Sequence, residues 1–195
     1  MNKVELLKAI KASGTNNGWV IISDMSEESK KILDKEIILE AIKASGTNDG
    51  WKVIRNMSEE SKKILDKEII LKAIKASGTN DGWVVISNMS KESKKILDKE
   101  IILEAIKASG TNDGWRVISN MSEESTKILD KKIILEAIKA SVGTNDGWRV
   151  ISNMSEESKK ILDKEIILEA IQASVGTNDG WRVIIDMFII SKLYP

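Results

Sequence analysis

The sequence predicts an all-α protein, an α-solenoid of six tandem helical repeats of 32–33 residues. Two observations predict it. Trp19, Trp51, Trp83, Trp115, Trp148 and Trp181 each follow a glycine in the string Thr-Asn-Asn/Asp-Gly-Trp, at a spacing of 32 residues three times and then 33 twice. Around that string, apolar residues recur at helical spacing. A fixed period of this length marks stacked units that together bury a core none could bury alone. The chain reads as a single repeat domain over residues 1–195, with units near 1–25, 26–57, 58–89, 90–121, 122–154 and 155–187 and an apolar tail at 188–195. The extra residue is Val142 in the fifth copy and Val175 in the sixth, each placed just before the loop glycine.

Within one unit, the stretch from Asp34 to Ser45 reads as a helix. Asp34 is a suitable N-cap, and Glu36 lies in the first turn, where the helix dipole favours an acid. Ile37, Ile38, Ala41 and Ile42 form one apolar face. Gly46 stands where a left-handed C-terminal cap is expected. The polar loop Thr47, Asn48, Asp49, Gly50 offers capping oxygens to the segment that follows. From Trp51 to Met57 the residues are rich in β-branched types, which suits a strand. Strict alternation, however, places Arg55 on one face with Trp51 and Val53. At about 100° per residue, Trp51, Val53, Ile54 and Met57 share one side and Lys52, Arg55 and Asn56 the other, so a short helix is predicted. Ser58 is suited to cap a further turn, with Glu59 and Glu60 first and Lys62 and Lys63 next. Two endings fit this stretch: it runs on into the next helix, or it breaks at Asp66. Each unit is accordingly a helical hairpin or a three-helix turn.

The string D-K-E-I-I-L-E-A-I-K from Asp34 to Lys43, followed by a glycine, a Gly-Trp pair and a second short helix, resembles a class of tandem α-helical repeats. These occur in bacterial and protist proteins and are catalogued as a domain of unknown function. The usual unit of that class is shorter; the loop from Ser45 to Asp49 and the segment from Ser58 to Leu65 are where this chain is longer. The resemblance implies an α-helical repeat fold and brings no activity or site residues.

Composition narrows the function. Thirty Lys and Arg balance thirty Asp and Glu, so the net charge is zero, without the basic excess that favours nucleic acid or acidic membranes. Cysteine and histidine are both absent, which removes disulfides, thiolate chemistry and the commonest general base and metal ligand. Apolar runs are far short of a membrane span, and the charged N-terminus does not read as a signal peptide. A cytoplasmic protein without cofactor or metal is expected. An enzyme is not, because nearly every acid, base and hydroxyl recurs in equivalent surroundings, whereas catalysis needs one constellation of different groups. The Thr-Asn-Asp-Gly loop falls short of a calcium loop: seven residues beyond Asp113 stands Asn120, not a closing Glu. Its near-invariance also disfavours sequence-specific nucleic-acid reading, where side chains must change from repeat to repeat. Asn-Met-Ser matches the glycosylation acceptor at Asn56, Asn88, Asn120 and Asn153, but as one copied string it reads as helix-end chemistry.

Copies differ most at one and four residues beyond each tryptophan: Val20/Ser23, Lys52/Arg55, Val84/Ser87, Arg116/Ser119, Arg149/Ser152 and Arg182/Ile185. Positions three apart share a helix face, and stacking aligns them in a ladder with a step of roughly 8–10 Å. Lys52, Arg55, Arg116, Arg149 and Arg182 are thus candidate binding residues for an acidic or phosphorylated peptide. The competing reading is a solvated face that tolerates drift. The tryptophans are expected to pack between units rather than to serve as stacking platforms. At the C-terminus, Phe188, Ile189 and Ile190 replace the Ser-Glu-Glu of other units. They read either as a plug over the last unit or as a self-association surface, since head-to-tail contacts that do not close make filaments. The function expected is a non-catalytic scaffold binding protein or peptide. The alternative is a structural protein that associates with itself head to tail into homo-oligomers or filaments.

Overall fold

The computed structural model describes residues 2–175, and every regular element among them is helical. The long helices are α1 (Lys3–Ala12), α3 (Lys35–Ala44), α5 (Lys67–Lys75), α7 (Lys99–Lys107), α9 (Lys131–Lys139) and α12 (Lys164–Gln172). They alternate with tryptophan helices, α2 (Gly18–Ser23), α4 (Gly50–Asn56), α6 (Gly82–Ser87), α8 (Gly114–Ser119) and α10 (Gly147–Ser152). A third element closes each unit. It is a 3-10 helix at Ser29–Ile32, Ser61–Ile64, Ser93–Ile96 and Ser125–Ile128, and the one-turn α11 (Glu156–Lys159) in the fifth copy. The unit is therefore the three-helix turn. Leu65 leaves the 3-10 helix at φ −60°, ψ 128°, and the extended Asp66 starts the next helix.

Each element packs on its counterpart one unit away, so the molecule is a solenoid with one row of long helices and one of tryptophan helices. The core lies between the rows. Ile37, Ile38, Ala41, Val53, Ile54 and most of their equivalents are buried, as the apolar faces predict, with Ile21 and Ile167 partly so. Each such isoleucine withdrawn from water contributes about 1.5–3 kcal/mol.

Three sets of polar bonds fix the register. Asp66 accepts the Ile69 amide with Oδ1 (2.9 Å) and the Lys35 ammonium of the preceding unit with Oδ2 (2.7 Å), so one carboxylate caps its helix and ties two units. Lys3, Lys67, Lys99 and Lys131 reach Asp34, Asp98, Asp130 and Asp163 in the same way. In the third row, Ser61 donates to the Lys30 carbonyl at 2.8 Å and Ser93 to that of Lys62 at 2.8 Å.

The third set corrects one expectation. The aspartates of the Thr-Asn-Asp loop make no side-chain cap on the tryptophan helices. The next unit caps them instead: Gly50, Gly82 and Gly114 donate their amides to the carbonyls of Ala76, Ala108 and Ala140 at 2.7, 3.0 and 2.9 Å. Buried Ser109 adds a bridge, its Oγ donating to the Ala105 carbonyl (2.7 Å) and accepting the Trp83 amide (3.1 Å). Start of one helix and end of another thus satisfy each other's unpaired backbone groups.

The predicted left-handed cap is found at Gly46, Gly78 and Gly110, with φ of 73°, 78° and 65°. In the fifth copy Val142 enters a short 3-10 turn (Val142–Thr144), and the left-handed position moves to Asn145 at φ 57°. The extra residue is absorbed locally.

Candidate functional site

The tryptophan helices carry the residues singled out from the sequence, and the structure places them otherwise than on a face remote from the indoles. Where a cation follows the tryptophan, at Lys52, Arg116 and Arg149, it reaches across the seam to the ring of the preceding unit. Lys52 Nζ lies 4.5 Å from the Trp19 ring centre and 5.7 Å from that of Trp51. Arg116 Cζ lies 4.6 Å from Trp83 and 4.9 Å from Trp115, and Arg149 Cζ 4.7 Å from Trp115 and 5.0 Å from Trp148. The succession Trp83, Arg116, Trp115, Arg149, Trp148 is a continuous cation–π column, each contact worth about 0.5–2 kcal/mol according to its desolvation. Trp19, Trp51, Trp83 and Trp115 are half-buried against the core and Trp148 is buried, so the tryptophans serve both packing and the column.

The loop aspartates belong to the same device. Asp49 pairs with Lys52 Nζ at 2.8 Å, and Asp113 and Asp146 accept from the Nε of Arg116 and Arg149 at 2.6 and 2.7 Å. Each carboxylate thus fixes a cation three residues on. The ridge is not simply basic: cations alternate with their own acids. Arg116 and Arg149 nevertheless keep 40% of their side-chain surface exposed, and the protein binds them through Nε. Arg55 is exposed and reaches only its own Trp51, at 5.7 Å. Arg182 of the proposed ridge and Phe188, Ile189 and Ile190 of the proposed self-association surface lie outside the described residues.

Two copies lack the cation, and they differ. In the first, Val20 is matched by Asn17, so cation and acid are both lost. In the third, Val84 follows Trp83 but Asp81 remains, its carbonyl accepting the Val84 amide while its carboxylate makes no hydrogen bond or ion pair. Burial, then the charges of Asp113 and Asp49, push its carboxyl above the ordinary aspartate value, against the opposing pull of Lys52.

The Asn-Met-Ser strings close helices, as expected. Asn56, Asn88, Asn120 and Asn153 donate side-chain amides to the carbonyls of Lys52, Val84, Arg116 and Arg149 at 2.7–2.8 Å. On the opposite row, open grooves of about 580 and 690 Å³ lie between α3 and α5 and between α7 and α9, lined by both charges. Among the described residues no acidic group cluster suits a metal ion, and no helix is long and apolar enough to cross a membrane.

Sequence reasoning missed the column because its partners stand one repeat plus one residue apart. The signal was nonetheless present: aspartate and cation occur together at three-residue spacing in the second, fourth, fifth and sixth copies. Comparison with protein-family models, with curated proteins and with solved structures finds no match.

Proposed function

We propose that the chain is a non-catalytic repeat scaffold that binds a protein or peptide along its row of tryptophan helices, with acidic side chains of the partner on Arg116 and Arg149. One observation carries this reading. Both guanidinium groups are held between successive indoles and tethered through Nε, with two-fifths of each side chain still open. Groups already fixed lose little freedom on binding, and the guanidinium fork suits a carboxylate. At a step of roughly 8–10 Å, an extended peptide matches the pair with an acid about every third residue.

The test is fluorescence titration with a peptide carrying Glu at every third position, against the same peptide with Gln. Binding is expected for the first only, weaker at high salt. The double change Arg116→Gln, Arg149→Gln should weaken it roughly tenfold or more, with helicity retained. Equal binding of the Gln peptide, or no loss in the double variant, rejects the reading.

Head-to-tail self-association is the competing reading, and one feature of the first unit weighs against it. Asn2 and Val4 stand where Asp34 and Glu36 hold Lys3, and Glu5 stands where Ile37 is buried. A second copy docking there through Lys164 meets none of the acids that join successive units. Light scattering across concentrations, with Phe188→Ser, Ile189→Glu, Ile190→Glu alongside, separates the two: the scaffold stays near 21.7 kDa.

A further inference from the structure

The column has one interior interruption among the described residues, between Trp51 and Trp83. Everywhere else inside the row, the place between successive indoles is taken by the cation that follows the second tryptophan. Here that residue is Val84, whose side chain ends where the aliphatic stem of an arginine continues outward. The helices α4 and α6 pack as α6 and α8 do, and Trp51 and Trp83 stand 32 residues apart, as Trp83 and Trp115 do. The framework of the cation place is thus kept while its cation is missing.

The acid is kept as well. In the first unit, the acid has become Asn17 along with Val20. In the third unit, Asp81 is retained, at the position from which Asp113 and Asp146 hold their arginines. A half-buried carboxylate without an ion pair, as at Asp81, is unfavourable unless a cation joins it. Of the two cations on α4, Lys52 acts on Asp81 but is ion-paired with Asp49, and Arg55 lies over Trp51 and makes no ion pair with Asp81.

We propose that the place between Trp51 and Trp83, above Val84 and beside Asp81, binds a guanidinium side chain presented by a partner. The guest completes the column as Arg116 does one unit on, stacked between the indoles with its N–H edge on the Asp81 carboxylate. The site takes the charge opposite to that bound by Arg116 and Arg149, so it stands or falls apart from the acidic-peptide reading. A partner engaging both places would set an arginine beside its acids.

The probe is N-acetyl-arginine amide, with the neutral, nearly isosteric N-acetyl-citrulline amide as control, followed through the indole N–H resonances. Saturable shifts are expected at Trp51 and Trp83 with arginine and not with citrulline. Asp81→Asn should weaken binding roughly tenfold or more. Val84→Arg should abolish it by supplying the cation in cis, a substitution whose product already exists at Arg116. Circular dichroism confirms that both variants keep their helices. Arg55→Ser, which installs the residue of the other units, should leave binding at least as tight. Equal shifts with citrulline, shifts spread evenly to Trp115 and Trp148, or undiminished binding in the Val84→Arg protein each overturn the proposal. Binding seen only after Arg55→Ser also overturns it, by assigning the place to Arg55 itself.

Discussion

At position 132 a lysine stands where Glu36, Glu68, Glu100 and Glu165 stand in other units. Those glutamates give the lysine of the preceding unit a second acid: Lys35 binds Glu68 at 2.7 Å and Lys67 binds Glu100 at 2.6 Å. Lys99 has Asp130 alone, and its side chain is 62% exposed against 46% for Lys67. Lys132→Glu is therefore expected to raise stability by ~0.3 kcal/mol, the range of an exposed pair, an effect that high salt removes. Urea unfolding of the two proteins at low and high salt checks it; no gain at low salt would count against the ladder as a source of stability. A related gap concerns Lys94. Lys30 and Lys62 pair with Glu27 and Glu59, but Lys91 replaces that acid, and burial pushes the Lys94 ammonium below the ordinary lysine value. Such single-residue departures were visible in the sequence as differences among copies. The meaning of Lys132 was not, because Lys99, the residue it affects, sits a whole repeat away.

The tryptophan helix is the element whose sequence says most and least. Its helical character followed from the apolar spacing of Trp51, Val53, Ile54 and Met57, and Asp34 and Gly46 marked the ends of the long helix. The glycine before each tryptophan was read only as part of a tight polar turn. In the structure it is a contact point: a Cβ on Gly82 would stand 2.7 Å from the Cβ of Ala108 and closer still to the Ala105 carbonyl. The short helix is thereby seated directly on the long helix of the following unit. Gly82→Ala is expected to destabilise the chain by about 1–3 kcal/mol, because backbone on both sides must move. Its counterpart at the exposed Gly14, where nothing lies within 4 Å, tests strain from positive φ alone. Thermal unfolding that ranks Gly14→Ala as the more damaging change would reject close approach as the reason for the Gly-Trp pair. Intrinsic propensity could not reveal this contact, since it reports only on neighbours along the chain.

For the whole molecule, the rows of aspartate and lysine make stability depend on pH at both extremes. At Asp34, Asp66 and Asp98 burial acts to raise the carboxyl, but the bonds from Lys3, Lys35 and Lys67 and from backbone amides outweigh it and hold these groups below the ordinary value. At Asp130 and Asp163 the bond from Lys99 or Lys131 is the leading cause. The unfolded chain takes up protons first, so this stability is complete above about pH 4 and is lost as pH falls through the lower folded values. Lys3, Lys35, Lys67 and Lys131 are raised by hydrogen bonds to the same acids, and their contribution fades only at strongly alkaline pH. Asp81 runs the other way, its burial cost and its repulsion from Asp113 and Asp49 relieved on protonation. A urea midpoint that is level above about pH 4 and falls steadily below it is expected; a flat profile would show that the ladder contributes nothing. The capping of each tryptophan helix by the unit after it has a consequence for how such a chain changes length. Four of the five described joints use the same atoms, the amide of Gly50, Gly82, Gly114 or Gly147 on an alanine carbonyl, while in the first Asn17 donates to Ala44. Excising or duplicating a whole number of repeats brings identical donors and acceptors together across the scar. The fifth copy, where Gly114 still donates to the Ala140 carbonyl at 2.9 Å just ahead of the added Val142, extends that tolerance to a single residue. Contour length is then a quantity that recombination can alter freely, while the fold at each joint stays as it was.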